Sequence, residues 1–175
     1  MRSKPATALQ SLLATLPQQG RVEWIGLRPA RRVAPIAVER ADIGVGQGLL
    51  GDRFSGVASS KRQVTLMQQE HLLAVGSYLG QGAIDPRLTR RNIVVSGINL
   101  LALRRSTFRL GTALLQGTGP CAPCSRMEEH LGPGGYNAMR GHGGITARVL
   151  EAGVVVLGDR VVLVAAGALA AGEED

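Results

Sequence analysis

Residues 107–129 read TFRLGTALLQGTGPCAPCSRMEE. Two β-like runs, TFRLG at 107–111 and TALLQGT at 112–118, follow one another with no helix between them. Then come Cys121 and Cys124, the only cysteines of the chain. Ser125 and Glu128 have the form of a capping box that opens a helix. A C-x-x-C ahead of a helix suggests a dithiol redox motif, but that motif belongs near the start of a βαβ unit. Here it lies two thirds of the way along the chain, behind consecutive strands. The segment therefore argues against a doubly wound sheet and for a chain built mostly of strands.

The same pattern extends in both directions. Short β-like runs occur at RVEWIGL, RVAPIAVE, RQVTLM, NIVVSG, ITARVLEAG, VVVLG and RVVLVAA. Most alternate or are β-branched, and Gly, Pro, Asn or Asp separates them. Helices are expected over about 68–79, from about Ser125 onward, and over 5–16, where Pro17 ends the helix. Many short strands with few helices predict a mainly β or α+β fold, a β-barrel or sandwich.

The chain has 175 residues, enough for one domain with a core that needs no disulfides. Aromatics are 3% of it, so that core must be aliphatic. The net charge is +7, and eighteen of the twenty basic residues are arginine. Arginine offers a planar fork of donors suited to phosphate and carboxylate. A GC-rich coding bias also accounts for arginine in place of lysine. Nucleic acid is not expected as a partner, because aromatics for base stacking are few and no known binding motif is present. The apolar run from Val161 to Gly172 is too short to span a bilayer, and Gln10 and Ser11 interrupt the N-terminal apolar stretch. A cytoplasmic protein with reduced thiols and no membrane association is expected.

The local sequence leaves four readings of the cysteines open. Both are small buried hydrophobes; or they join His130 and His142 in a zinc site, although the spacing fits no common zinc pattern; or they form a redox dithiol; or one is a functional thiolate. For the last, Cys124 is the expected residue. The helix mouth and Arg126 both favour negative charge there. GLLGDRFSG at 48–56 reads as a turn or as a loop presenting Arg53 to an anion. Arg62, and Arg90, Arg91 and Asn92, stand at strand starts. Six glycines between 132 and 144 read as a mobile surface loop, as a lid, or as a backbone surface lying close to a flat ligand, with His142 exposed.

Taken in order, GLLGDR, RQVTLMQQEH, RRNIVVSGINLLAL, FRLGTALLQGTGPCAPCSRMEE, GHGGITARVLEAG and VVVLGDRVVLV resemble the MOSC domain, the C-terminal domain of molybdenum cofactor sulfurases, in its short stand-alone bacterial form. The resemblance covers roughly residues 42–164. Phe54 departs from it, since many relatives carry His there. The resemblance implies a distorted β-barrel over 20–167, with a helical extension at 1–19 and a tail at 168–175. It implies a molybdenum cofactor, a pterin dithiolene bearing a phosphate, ligated and made catalytic through Cys124. By the same implication Arg53, Arg62, Arg91, Asn92, Arg126 and Arg148 are candidates to bind that cofactor. The activity implied is reduction of N-hydroxylated compounds such as hydroxylamines, amidoximes and N-hydroxylated bases. The alternatives are a sulfur or cofactor carrier using a Cys124 persulfide, and a dithiol oxidoreductase. With no dinucleotide, flavin or iron–sulfur signature of its own, such a reductase needs an electron-donating protein. No motif points to an oligomeric state.

Overall fold

The computed structural model describes residues 7–54 and 56–166. Seven strands close into a barrel. In chain order they are β1 (Gly20–Leu27), β5 (Val64–Gln68), β6 (Ile93–Ser96), β7 (Thr107–Leu110), β8 (Ala113–Pro120), β9 (Ile145–Glu151) and β11 (Arg160–Ala165). Around the barrel the order is β1, β6, β5, β9, β8, β7, β11 and back to β1 through Gly20↔Val161 and Arg21↔Arg160. The short β2 (Ile36–Val38) extends the far end of β1. A second sheet lies beside the barrel, formed by β10 (Gly153–Val156), β3 (Arg40–Gly44) and β4 (Gly48–Leu49).

Closure needs one change of phase. On β1 the inward residues Val22 and Ile25 are three apart, which a regular pleat would put on opposite faces. A register irregularity between Val22 and Trp24 against β6 brings both inside. All barrel neighbours pair antiparallel except β5 and β6, which are parallel. They are joined by a crossover through α2 (Gln69–Tyr78).

The crossover creates a second core. Leu66, Ile93 and Val95 face the barrel interior, whereas Met67 and Val94 face outward and pack with Leu72 and Val75 of α2, Met127, and Met139. Both faces of β5 and β6 are thus covered, and their sequences read as continuous apolar runs. The barrel core is aliphatic except for Phe108, which is fully buried. Met127 belongs to α3 (Arg126–Leu131), and the neighbouring α4 is Gly135–Ala138.

Three local expectations change. The N-terminal helix α1 is shorter than expected, Ala8–Ala14, because Thr7 and Gln10 form a capping box and Thr15 is already extended. GLLGDR includes strand β4, and β3 precedes it; neither carries a run long enough to show periodicity. The glycine-rich segment 132–144 holds α4 and packed backbone instead of an open loop. The tail at 168–175 lies outside the described residues. Among the described residues no helix is long and apolar enough to cross a membrane.

Candidate functional site

The cysteines leave β8 in different environments. Cys121 is buried, and its N–H donates to the Gly144 carbonyl at 2.8 Å. Cys124 is exposed. Beneath this loop lies Arg91, which is 4% exposed. Its Nε donates to the Gly143 carbonyl (2.7 Å), Nη1 to Thr89 (2.9 Å) and Nη2 to Cys121 (2.9 Å). One guanidinium therefore joins the β6 entry, the cysteine loop and the glycine segment. Burial lowers the Arg91 pKa from its ordinary value; Cys121 and Cys124 oppose this, and the nearby Arg62 and Arg28 add to it. A Cβ on Gly143 would lie 2.0 Å from the Cys121 oxygen, so the glycine allows this close approach.

The residue before Arg91 turns the other way. Arg90 closes the 3-10 turn Pro86–Thr89 with a left-handed backbone, φ 60° and ψ 27°. This is uncommon outside glycine and concentrates at functional sites. Its Nη1 donates to Cys124 Sγ at 3.2 Å. The cation that meets the thiol is thus Arg90. The expected helix-mouth cap does not form. Ser125 has helical φ and ψ and no capping hydrogen bond, because its backbone lacks the extended conformation that aims an N-cap oxygen at the helix. The Glu128 carboxylate instead accepts from Gly134 and Tyr136, at 2.8 and 2.9 Å, which holds its pKa below the usual carboxylate value.

Arg90 also lines a cavity of about 840 Å³. Six other arginines line it: Arg28, Arg31, Arg32, Arg53, Arg87 and Arg126. Ala30, Val33, Ala34, Pro35 and Leu88 supply apolar wall, and His130 closes one side, its Nδ1 lying 3.0 Å from the Leu88 carbonyl. Arg28 organises the floor. Its Nε and Nη2 grip Asp52 at 3.0 and 2.8 Å, its Nη1 reaches the Arg90 carbonyl at 3.4 Å, and its own carbonyl accepts Arg53 N–H at 2.6 Å.

The expected site residues therefore separate into two groups. Cys124, Arg53 and Arg126 meet at or beside the cavity. Arg91 and Asn92 do not present free donors. Arg91 is satisfied by carbonyls. Asn92, 1% exposed, accepts from Thr65 Oγ1 at 2.9 Å and donates to the Gly26 carbonyl at 3.3 Å. A buried strand start must satisfy its backbone groups, and these two side chains do so. Arg148 Nε pairs across the β8–β9 ladder with Gln116 Oε1 at 2.7 Å. Arg62 is exposed near Arg91 and does not line the cavity. Among the described residues no three of His, Cys, Asp and Glu gather as a metal cage. His142 packs edge-on to His71, ring centroids 4.7 Å apart, and is not the exposed side chain expected.

The MOSC domain matches residues 50–162, well over half of the chain. The chain belongs to the MOSC domain family. No curated protein matches it in sequence. Solved structures share the fold. The YuaD protein of Bacillus subtilis has a TM-score of 0.70 at 19% identity, over 84% of this chain and 97% of that one. YiiM of Geobacillus stearothermophilus scores 0.65 at 20% identity, over 83% and 75%. YiiM of Escherichia coli scores 0.63 at 22% identity, over 82% and 69%. The MOSC family is a molybdenum cofactor-binding family, and its barrel is the one found here.

Within this MOSC domain, sequence reading passed over Arg28, Arg31, Arg32 and Arg87 as cavity residues. Arg28 and the loop after it lie outside the family match, which begins at residue 50. The available signal was the dense run RPARR at 28–32 between two β-like segments.

Proposed function

We propose that this MOSC protein binds a molybdenum cofactor through Cys124 and reduces N-hydroxylated compounds. The observation that carries this reading is the Arg90–Cys124 contact, which joins the single exposed thiol to the arginine-lined cavity. The residues suit such a group. A soft thiolate is an appropriate ligand for molybdenum in sulfur-rich coordination, by extension of the softness rule. A cavity that combines guanidinium groups with an apolar wall suits a flat pterin carrying a phosphate. When bound, the cofactor supplies two-electron oxygen abstraction at the metal.

The chain's own residues have distinct tasks in this reading. Cys124 is the metal ligand, and Arg90 orients its sulfur. Arg53 and Arg126 supply charge for the phosphate, with Arg28 holding Arg53 and Arg90 in place. Arg91 and Asn92 fix the strand start and the cysteine loop. Arg62 and Arg148 act at longer range, through charge and by bracing β8 against β9. The net reaction breaks an N–O bond, forms an N–H bond and releases water, consuming two protons and two electrons. An electron-donating protein in the cytoplasm supplies the electrons.

A carrier role, with a persulfide on Cys124, is the second reading, and the exposure of that thiol supports it. A dithiol mechanism is disfavoured because Cys121 is buried. The test is expression in a cofactor-competent host followed by metal and pterin analysis. Cys124→Ala should lose molybdenum, and Cys121→Ala should keep most of it. Turnover of an amidoxime with an artificial donor, abolished in Cys124→Ala, identifies the reductase. A persulfide on Cys124 by mass spectrometry without turnover identifies the carrier. Full metal retention in Cys124→Ala would overturn the ligand assignment.

A further inference from the structure

The cavity carries more positive charge than one cofactor phosphate matches. Of its seven arginines, Arg28 is paired with Asp52, Arg87 with Asp85, and Arg126 lies 3.3 Å from Glu129. Arg31, Arg32, Arg53 and Arg90 have no carboxylate within ion-pair distance among the described residues. A phosphate monoester carries about 1.5 to 2 negative charges at neutral pH. It leaves about two guanidinium groups of this set unmatched.

The four fall into two sets by what holds them. Arg53 and Arg90 are both tied to Arg28 through backbone atoms, and Arg90 touches the thiol. Arg31 and Arg32 lie apart, on the exposed loop between β1 and β2, where Arg32 is held left-handed at φ 66°. Directly after them Val33, Ala34 and Pro35 form apolar wall of the same cavity. Two unpaired guanidinium groups next to an apolar strip match a phosphate joined to a flat ring.

We infer that the loop 30–35 is a second anion subsite, in which Arg31 and Arg32 take a phosphate group additional to the cofactor's own. The inference rests on the proposed function for the assignment of the first phosphate. The second phosphate has two chemical sources. It is the nucleotide-side phosphate of a nucleotide-extended cofactor, or it is the phosphate of an N-hydroxylated nucleotide substrate.

The test uses the full chain and inorganic probes. By titration calorimetry at low salt, pyrophosphate should bind at least about tenfold tighter than orthophosphate, the size expected of one added charge-assisted contact. The double variant Arg31→Gln/Arg32→Gln should lose that preference while its thermal melting stays unchanged. A control with equal charge loss elsewhere, Arg140→Gln/Arg160→Gln, should keep the preference. Equal binding of the two anions, a preference surviving in the loop variant, or its loss in the control would each overturn the subsite. Mass spectrometry of the extracted cofactor separates the sources. An attached nucleotide supports the first. A nucleotide-free cofactor, with an N-hydroxylated nucleoside monophosphate binding tighter than its nucleoside, supports the second. A nucleotide-free cofactor with no such difference overturns the subsite. Wild-type protein lacking molybdenum would sink the cofactor reading and leave the pyrophosphate measurement standing.

Discussion

Arg90 and Arg91 are neighbours in sequence with opposite tasks. Residue 90 has a left-handed backbone and residue 91 enters the buried edge of β6, so one guanidinium reaches the thiol and the cavity while the other goes under the cysteine loop. Removing the buried one should be costly. Arg91→Met leaves the Thr89, Cys121 and Gly143 carbonyls without this donor, and each buried unsatisfied group costs about 1–3 kcal/mol. We expect a loss of about 3 kcal/mol or more in urea unfolding, against less than about 0.5 kcal/mol for exposed Arg62→Gln. Equal small losses would show that the guanidinium is not structural.

The glycine segment holds the loop from the other side, and α2 packs on that segment. Gly143 has backbone and guanidinium atoms where a Cβ would go. Gly143→Ala should therefore cost about 1–3 kcal/mol as overpacking and should speed alkylation of Cys121, measured by thiol labelling under native conditions. His71 of α2 packs on His142 of that segment, with Tyr78 5.4 Å from His142. The Nδ1 atoms of both histidines are buried without a partner. Burial lowers the His71 pKa below its ordinary 6.5, the His142 charge adds to this, and the His142 backbone and Glu70 oppose it. The unfolded chain then takes up the proton at a higher pH than the folded one. Stability should be full above about pH 6.5 and should fall as pH drops toward the folded value. His71→Gln should flatten this slope in melting temperature between pH 8 and 5.5. An unchanged slope would assign the acid sensitivity to other groups.

At the scale of the molecule, the barrel depends on an aliphatic interior with Phe108 as its one aromatic member. Phe108→Ala should cost about 3–5 kcal/mol, the usual range for a fully buried phenylalanine, read from chemical denaturation. A loss below about 1 kcal/mol would mean that the interior repacks freely. Closure through β1 and β11 also ties together the strands that carry the site. The cysteine loop leaves β8 and the Arg90–Arg91 pair enters β6, both strands being fixed in the same closed sheet.

Much of this protein was legible in the sequence because local physics carries it. Alternation and β-branching marked the principal strands, and the spacing of Cys121 and Cys124 after β8 marked the loop that bears the thiol. The residue order resembled the MOSC domain closely enough to give the barrel. What the chain could not show locally was which faces meet. The dipeptide Arg90–Arg91 reads as two equivalent cations, and only the backbone turn at 90 and the burial at 91 divide them. Ser125 and Glu128 satisfy a capping pattern, yet Glu128 meets Gly134 and Tyr136 across a turn. The cavity draws arginines from residues 28–32, 53, 87–90 and 126, segments far apart in sequence that share no periodicity. Closing the barrel brings them together, because side-chain charge patterns at a distance become a site only when the strands that carry them are paired.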